Sequence, residues 1–300
     1  MSSQNRISVD LQGGLGNQLF CYSAGYYVAL RNNFELECQM TTAYNSTKRD
    51  DSILSGLKLP GTFVSSKPKM LRKKTIIDNA LTRLLRKFGK NFHSRAKKNY
   101  VSNVLGYDQI LDSIHKPTKL NGYFQTWRYP LIAREVIAVA LKNEVNLNDY
   151  AKELIEQMKF ERILVVHIRL GDYKNSENSF IGILSPEYYA AILKRPELYG
   201  YKVFVFSDDI LEAKAEYGAT FLPSTTWVDQ GGVLNPVETL VVMSHGKAFA
   251  IANSTFSWWS AFLSHNPEMI IAPSKWFKNR SDPEELIPSD WHREASRWAN

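Results

Sequence analysis

Apolar residues form a short block from Ile7 to Leu11, break at Gly13-Gly14-Leu15-Gly16-Asn17-Gln18, and resume from Leu19 to Leu30 at helical spacing. That order predicts a strand, a glycine turn and a helix. Residues 40 to 75 are rich in Ser, Thr, Lys and Pro without a clean period, which predicts loops and short elements. Short elements are expected at Tyr107 to Ile114 and Leu120 to Phe124, followed by helices from Leu131 to Leu141 and through Tyr150, Leu154, Ile155 and Met158. Beyond these, apolar blocks at Ile163 to Ile168, Val203 to Phe206, Ala248 to Ile251 and Met269 to Ala272 alternate with helical segments beginning near Pro186, Pro236 and Ser254. Short, nearly continuous apolar strands separated by helices predict an α/β fold with a parallel sheet buried on both faces. A break near Asn143 to Asn148 divides the chain into an N-terminal unit, 1–145, and a C-terminal unit, 146–300.

Charge changes this picture in one place. The net +7 is concentrated in Lys67 to Lys98, where twelve Lys or Arg residues face the single acid Asp78, while the remainder is net acidic. Ile77, Leu81, Leu84, Leu85 and Phe88 recur there at helical spacing, so a basic amphipathic helix is expected in an insertion, 67–98. It suits an anionic membrane surface or an acidic acceptor, or else a solvated insertion packed by its apolar stripe. No nucleic-acid motif accompanies the charge, so no nucleic-acid partner is expected. There is no run of 18 apolar residues, and Met1-Ser-Ser-Gln-Asn-Arg6 lacks the pattern of a secretory signal. The expected location is cytoplasmic, with a peripheral position at the inner face of the plasma membrane open to the basic segment. Cys21 and Cys38 are expected to be free thiols.

Four polar turns follow predicted strands, and in parallel sheets ligands bind beyond the carboxyl ends. In the first, Gly14 and Gly16 let backbone approach a ligand, while Asn17 and Gln18 offer amides to a sugar or phosphate. The glycines do not spell the dinucleotide fingerprint, because Leu19 stands where its third glycine would. In the second, His167 and Arg169 share a face at a strand end, and Gly171 turns the chain to present Asp172. Arginine forks onto phosphate oxygens and suits the charge of a departing nucleoside diphosphate; an ion-paired turn is the structural alternative. In the third, Ser207-Asp208-Asp209, one carboxylate can read a guanine edge while its neighbour caps the next helix. In the fourth, Asn253, Ser254, Thr255 and Ser257 sit at a helix start, where free amides and hydroxyls can hold a diphosphate or simply cap the helix. No Asp-x-Asp and no His or Cys cluster at ligand spacing occurs, so a metal-independent mechanism is expected, with no cofactor.

Taken together, Gly13-Gly-Leu-Gly-Asn-Gln-Leu-Phe20, Tyr123-Phe-Gln-Thr-Trp-Arg-Tyr129, His167-Ile-Arg-Leu-Gly-Asp-Tyr173, Phe204-Val-Phe-Ser-Asp-Asp209 and Ala252-Asn-Ser-Thr-Phe-Ser-Trp-Trp259 resemble the alpha-1,2-fucosyltransferases of glycosyltransferase family 11, bacterial O-antigen members above all. The resemblance implies a GT-B-like pair of Rossmann-type domains facing a cleft. It also implies inverting transfer from GDP-beta-L-fucose to O2 of a terminal galactose, without a required metal. The acceptor is then a galactose-terminated oligosaccharide, lipid-linked if the basic segment holds the enzyme at the membrane. By resemblance Arg169 contacts the pyrophosphate, His167 neighbours the nucleotide, Asp208 or Asp209 holds guanine, and Asn253 to Ser257 hold the phosphates. Leu170 occupies a place where many members carry a second Arg, which leaves more of the donor to Arg169 and the serine turn. Asp172 is the candidate base, Asn17 is grouped with it and Arg169 as catalytic, and Gln18, Tyr123, Gln125 and Trp127 are the candidate acceptor wall. Competing readings are another GDP-sugar transferase, differing in linkage or in the 6-deoxyhexose moved, a non-catalytic nucleotide- or glycan-binding protein, and a basic membrane-associating module.

Overall fold

A computed structural model describes residues 5–41, 53–66 and 98–299. The first part of the chain comprises β1 (Arg6–Leu11), α1 (Leu15–Asn32), β2 (Glu35–Thr41), β3 (Thr62–Ser66), β4 (Lys98–Val101), β5 (Thr118–Asn121), α2 (Arg128–Glu144) and α3 (Asp149–Phe160). Its five strands pair in parallel in the order β3-β2-β1-β5-β4. The second part comprises β6 (Ile163–Ile168), α4 (Pro186–Leu193), β7 (Lys202–Ser207), α5 (Ile210–Tyr217), β8 (Thr226–Trp227), α6 (Pro236–Met243), β9 (Ala248–Ala250), α7 (Thr255–Leu263), β10 (Met269–Pro273) and β11 (His292–Glu294). Its six strands, also parallel, run β11-β10-β9-β6-β7-β8. Two parallel sheets with helical crossovers constitute the GT-B-like α/β architecture that the sequence implied.

Local chemistry explains the elements. β1 buries Ile7, Val9 and Leu11 under α1 and leaves Arg6, Ser8 and Asp10 on the other face. There Glu37 accepts from Arg6 and Ser8, and Lys119 pairs with Asp10 at 2.7 Å. β6 is buried along its whole length, its alternate residues feeding two cores. Ile163 and Val165 join the large core shared by both sheets, whereas Leu164, Val166 and Ile168 join a second core under α4 and α5. α1 ends at Asn33, whose left-handed φ of 53° closes the last turn. α6 starts with a capping box, Asn235 with Glu238, and Pro236 in its first turn. The same Glu238, buried, accepts from the amide of Asn148 at 2.8 Å, tying the start of α3 to α6.

Of the stretch from 40 to 75, expected to hold loops and short elements, β2 takes in only the first two residues, and β3 is one such short element. In β2 the apolar positions Leu36, Cys38 and Met40 alternate with Glu35, Glu37 and Gln39, a half-buried strand with acids on its polar face. β3 is Thr-Phe-Val-Ser-Ser at the sheet edge, where few apolar residues are needed. β8 and β11, two and three residues long, were below what a pattern reveals. The basic helix expected in 67–98 lies outside the described residues, except that Lys98 opens β4. Cys21 and Cys38 are buried free thiols, each pushed up to about 12 by burial. Among the described residues no helix is long and apolar enough to cross a membrane.

Candidate active site

Each sheet reverses its winding once. In the second sheet the chain runs from β6 outward through β7 and β8, then returns to β9 on the other side of β6. In the first, β1 lies between β2 and β5. The carboxyl ends beside such reversals open crevices in which ligands bind. Arg169 to Asp172 follow β6, Asn253 to Ser257 follow β9, Gly13 to Gln18 follow β1, and Gly122 to Trp127 follow β5. The crevices meet. A Cβ on Gly16 would lie 2.5 to 2.7 Å from backbone atoms of Thr255 and Phe256, so α1 and α7 touch at their N-terminal ends through a position only glycine fits. Across the same place Gln125 Nε2 donates to Asn17 Oδ1 at 2.9 Å.

Arg169 sits between two carboxylates. One Nη donates to Asp172 Oδ1 at 2.5 Å and the other lies 3.3 Å from Asp208 Oδ2, while Nε is buried without a partner. Burial opposes its charge, yet Asp208, Tyr173 and Asp172 together raise its pKa, so the guanidinium is charged at any working pH. Asp208 also accepts from the amide of Leu170 at 2.9 Å, and a Cβ on Gly171 would fall 2.0 Å from its Oδ2. Asp208 therefore anchors the arginine turn. Asp209 caps α5, accepting from Glu212 N at 3.1 Å, and its own amide donates to Ser207 Oγ at 3.2 Å. Asp172 is partly exposed.

His167, on the same face of β6 as Ile163 and Val165, is buried beside Phe256 with ring centres 6.0 Å apart. Burial, reinforced by the charge of Arg169, pushes its pKa down to about 3. It is a neutral imidazole whose Nδ1 is buried without a partner. The turn after β9 is built by its own side chains. Asn253 Nδ2 donates to the carbonyls of Ile181, Gly182 and Trp276, and Ser257 Oγ donates to those of Ser254 and Ala252. Ser254, the N-cap of α7, makes no side-chain cap bond, so the first-turn amides beginning at Thr255 keep their donors.

On the first sheet's side, Gly13 has φ of 74°, whereas Gly14 has an ordinary backbone and open space where a Cβ would stand. Gln18 donates to Gly13 O, and the Oε1 atoms of Gln18 and Gln125 are buried without partners. Tyr123 is 36% exposed and Trp127 half-buried. Phe124, fully buried, adopts a left-handed φ of 50° between them.

Three residues, Tyr173, Glu284 and Glu285, carried no assigned role in the sequence. Tyr173 donates to Asn253 O at 3.0 Å and lies 5.3 Å from the guanidinium of Arg169, joining the arginine turn to the serine turn. Its place within the His167 to Tyr173 motif was the available signal. Glu285 reaches the Tyr123 to Trp127 segment, and Glu284 the amide of Tyr107, from far along the chain, and nothing local marks them.

A buried, carboxylate-flanked arginine and the start of α7 follow adjacent strands of the second sheet, opposite the glycine turn of the first, within a GT-B-like α/β architecture. The chain belongs to glycosyl transferase family 11, whose family model matches residues 6–294, and is therefore a glycosyltransferase. It is 32% identical over 292 residues to an alpha-1,2-colitosyltransferase of Escherichia coli, covering 94% of this chain and 97% of that one. It is 28% identical over 308 residues to the O-antigen biosynthesis glycosyltransferase WbnK of Escherichia coli, covering 94% and 98%. A crystal structure of NodZ alpha-1,6-fucosyltransferase soaked with GDP-fucose aligns with a TM-score of 0.49 at 12% identity, covering 89% of this chain and 97% of that one.

Proposed function

We propose that the protein transfers L-fucose from GDP-beta-L-fucose to O2 of a terminal galactose, with inversion, during assembly of a bacterial O-antigen or related surface polysaccharide. The observation that carries this reading is the buried Arg169 at the end of β6, with its unpartnered Nε, joined through Tyr173 to the turn that starts α7. The acceptor hydroxyl attacks C1 as the bond from C1 to the β-phosphate oxygen breaks. Asp172 takes the hydroxyl proton, and Arg169 with the N-terminal end of α7 meets the charge left on GDP. Gly14, with open space at its Cα, lets the chain lie against the donor. Asp209 reads guanine, Asp208 being engaged by Arg169 and the amide of Leu170, and Gln18, Tyr123, Gln125 and Trp127 border the galactose. Asn253, Ser257 and Tyr173 hold the phosphate turn in shape. Protein groups alone meet the diphosphate charge, so no metal is required.

The 32% identity to a colitosyltransferase favours a second reading for the donor. Colitose is fucose without its 3-hydroxyl, so the two donors share the GDP and C1 chemistry and differ at one group. Incubating the protein with each GDP sugar and a panel of terminal galactosides, then locating the linkage by NMR, decides between them. GDP binding without transfer to any acceptor contradicts both.

The basic stretch 67–98 is proposed to hold the enzyme against anionic lipid near a lipid-linked acceptor. Binding to vesicles should rise with anionic lipid and fall with salt. Binding insensitive to both contradicts it.

A further inference from the structure

The segment that borders the proposed acceptor site is held by the opposite half of the molecule. Glu284 O accepts from the amide of Tyr107 at 3.1 Å, and Glu285 O accepts from the amide of Trp127 and from Thr126 Oγ1, each at 3.0 Å. The carboxylate of Glu285 grips the guanidinium of Arg128 through two hydrogen bonds, one of them 2.6 Å. That guanidinium lies 4.5 Å from the ring of Tyr107 and 5.6 Å from that of Trp127. The contact is as close as backbone permits. A Cβ on Gly106 would meet Glu284 backbone at 2.3 to 2.4 Å. Glu285 has φ of 54°, and so does buried Phe124 within a few degrees, at 50°. Left-handed non-glycine residues cost energy and persist only where surrounding structure fixes them.

The strap is itself anchored in the second half, because Asp282 accepts from the amides of Trp276 and Phe277 at 2.9 and 3.0 Å. Its other end reaches the cleft in two steps. Leu105 O accepts from Gln125 N at 2.6 Å, and Gln125 in turn holds Asn17 at the α1 start. A shift at Gly106 or Glu284 thus passes to Gln125 without touching Arg169.

We infer that Glu285, Arg128 and Gly106 are positioning residues for the acceptor, although Glu285 lies in the half that carries the donor site. The inference rests on the proposed acceptor side of the cleft. It predicts a split: substitutions here weaken the galactoside and spare GDP.

The test uses the full chain with Glu285→Gln, Arg128→Lys and Gly106→Ala. Galactoside KM and Kd, GDP Kd by calorimetry, and hydrogen exchange across residues 123–127 are read for each. Losing a partly exposed ion pair should raise galactoside KM by about fivefold. Gly106→Ala should raise it further and speed exchange at Gln125 and Trp127. GDP affinity should stay unchanged, and the charge swap Arg128→Glu with Glu285→Arg should restore galactoside KM. Equal losses for GDP and galactoside overturn the inference, as does faster exchange with unaltered galactoside affinity. Failure of the unmodified protein to transfer any sugar overturns the proposed function instead, and galactoside Kd then decides the strap's role alone.

Discussion

At the scale of single residues, the proposed chemistry centres on a charge that cannot be lost, beside an imidazole that stays neutral. Arg169 keeps its proton because Asp208 and Asp172 outweigh its burial. Replacing it with Ala should lower kcat by about 10²-fold to 10³-fold, the usual cost of removing one group that stabilises developing charge. Its folding should be checked by circular dichroism, since Asp208 would lose a partner. Asp172→Asn separates two roles. If the carboxylate is the base, kcat falls by about 10²-fold to 10⁴-fold with donor KM unchanged; if it only orients Arg169, donor KM rises instead. His167 gives a stability prediction. Its pKa is about 3 in the folded chain, against an ordinary value of 6.5 when unfolded. Between those values the unfolded chain binds the extra proton, so stability from this residue is intact above pH 6.5. It declines by about 1.4 kcal/mol per pH unit as pH falls toward 3. Urea unfolding of the parent and His167→Gln at pH 7 and pH 4.5 should show the parent losing more stability with acid. Equal losses contradict the buried neutral imidazole.

At the scale of elements, two glycines of the same motif, two residues apart, make opposite demands. Gly16 lies against Thr255 where α1 meets α7, so Gly16→Ala should cost about 1 to 3 kcal/mol, as overpacking does, and weaken activity with it. Gly14 has open space, so Gly14→Ala should leave the melting temperature near the parent value while raising donor KM. Matched thermal melts and donor titrations check the pair; a shared stability loss would contradict the separate roles. The strands of the second sheet were legible because both faces of β6, β7, β9 and β10 are buried, which leaves runs such as Ile163 to Ile168 nearly free of polar residues. β2 escaped because its outward positions are acids paired with Arg6, a contact made between strands and invisible along one. The polar turns were legible as residue types. Their division of labour was not, because Asp208 turns toward Leu170 and Arg169 while Asp209 caps, a choice set by the geometry of two neighbouring strand ends.

At the scale of the whole molecule, the proposed function rests on two switch points brought together. One sheet supplies the arginine and serine turns, the other the glycine turn and the aromatic segment, and Gly16 against Thr255 fixes their approach. The strap at Glu284 and Glu285 could not be read from sequence, since it joins residues about the length of a domain apart and carries no motif. The central claim is that this cleft moves a 6-deoxyhexose from GDP to O2 of galactose using protein groups alone. The most direct test is transfer from GDP-fucose and GDP-colitose to terminal galactosides with EDTA present, the product linkage being assigned by NMR. The account predicts an α-1,2-linked product from at least one of the two donors, at a rate unaffected by the chelator. Loss of transfer on chelation, or a product joined elsewhere than O2, would contradict it.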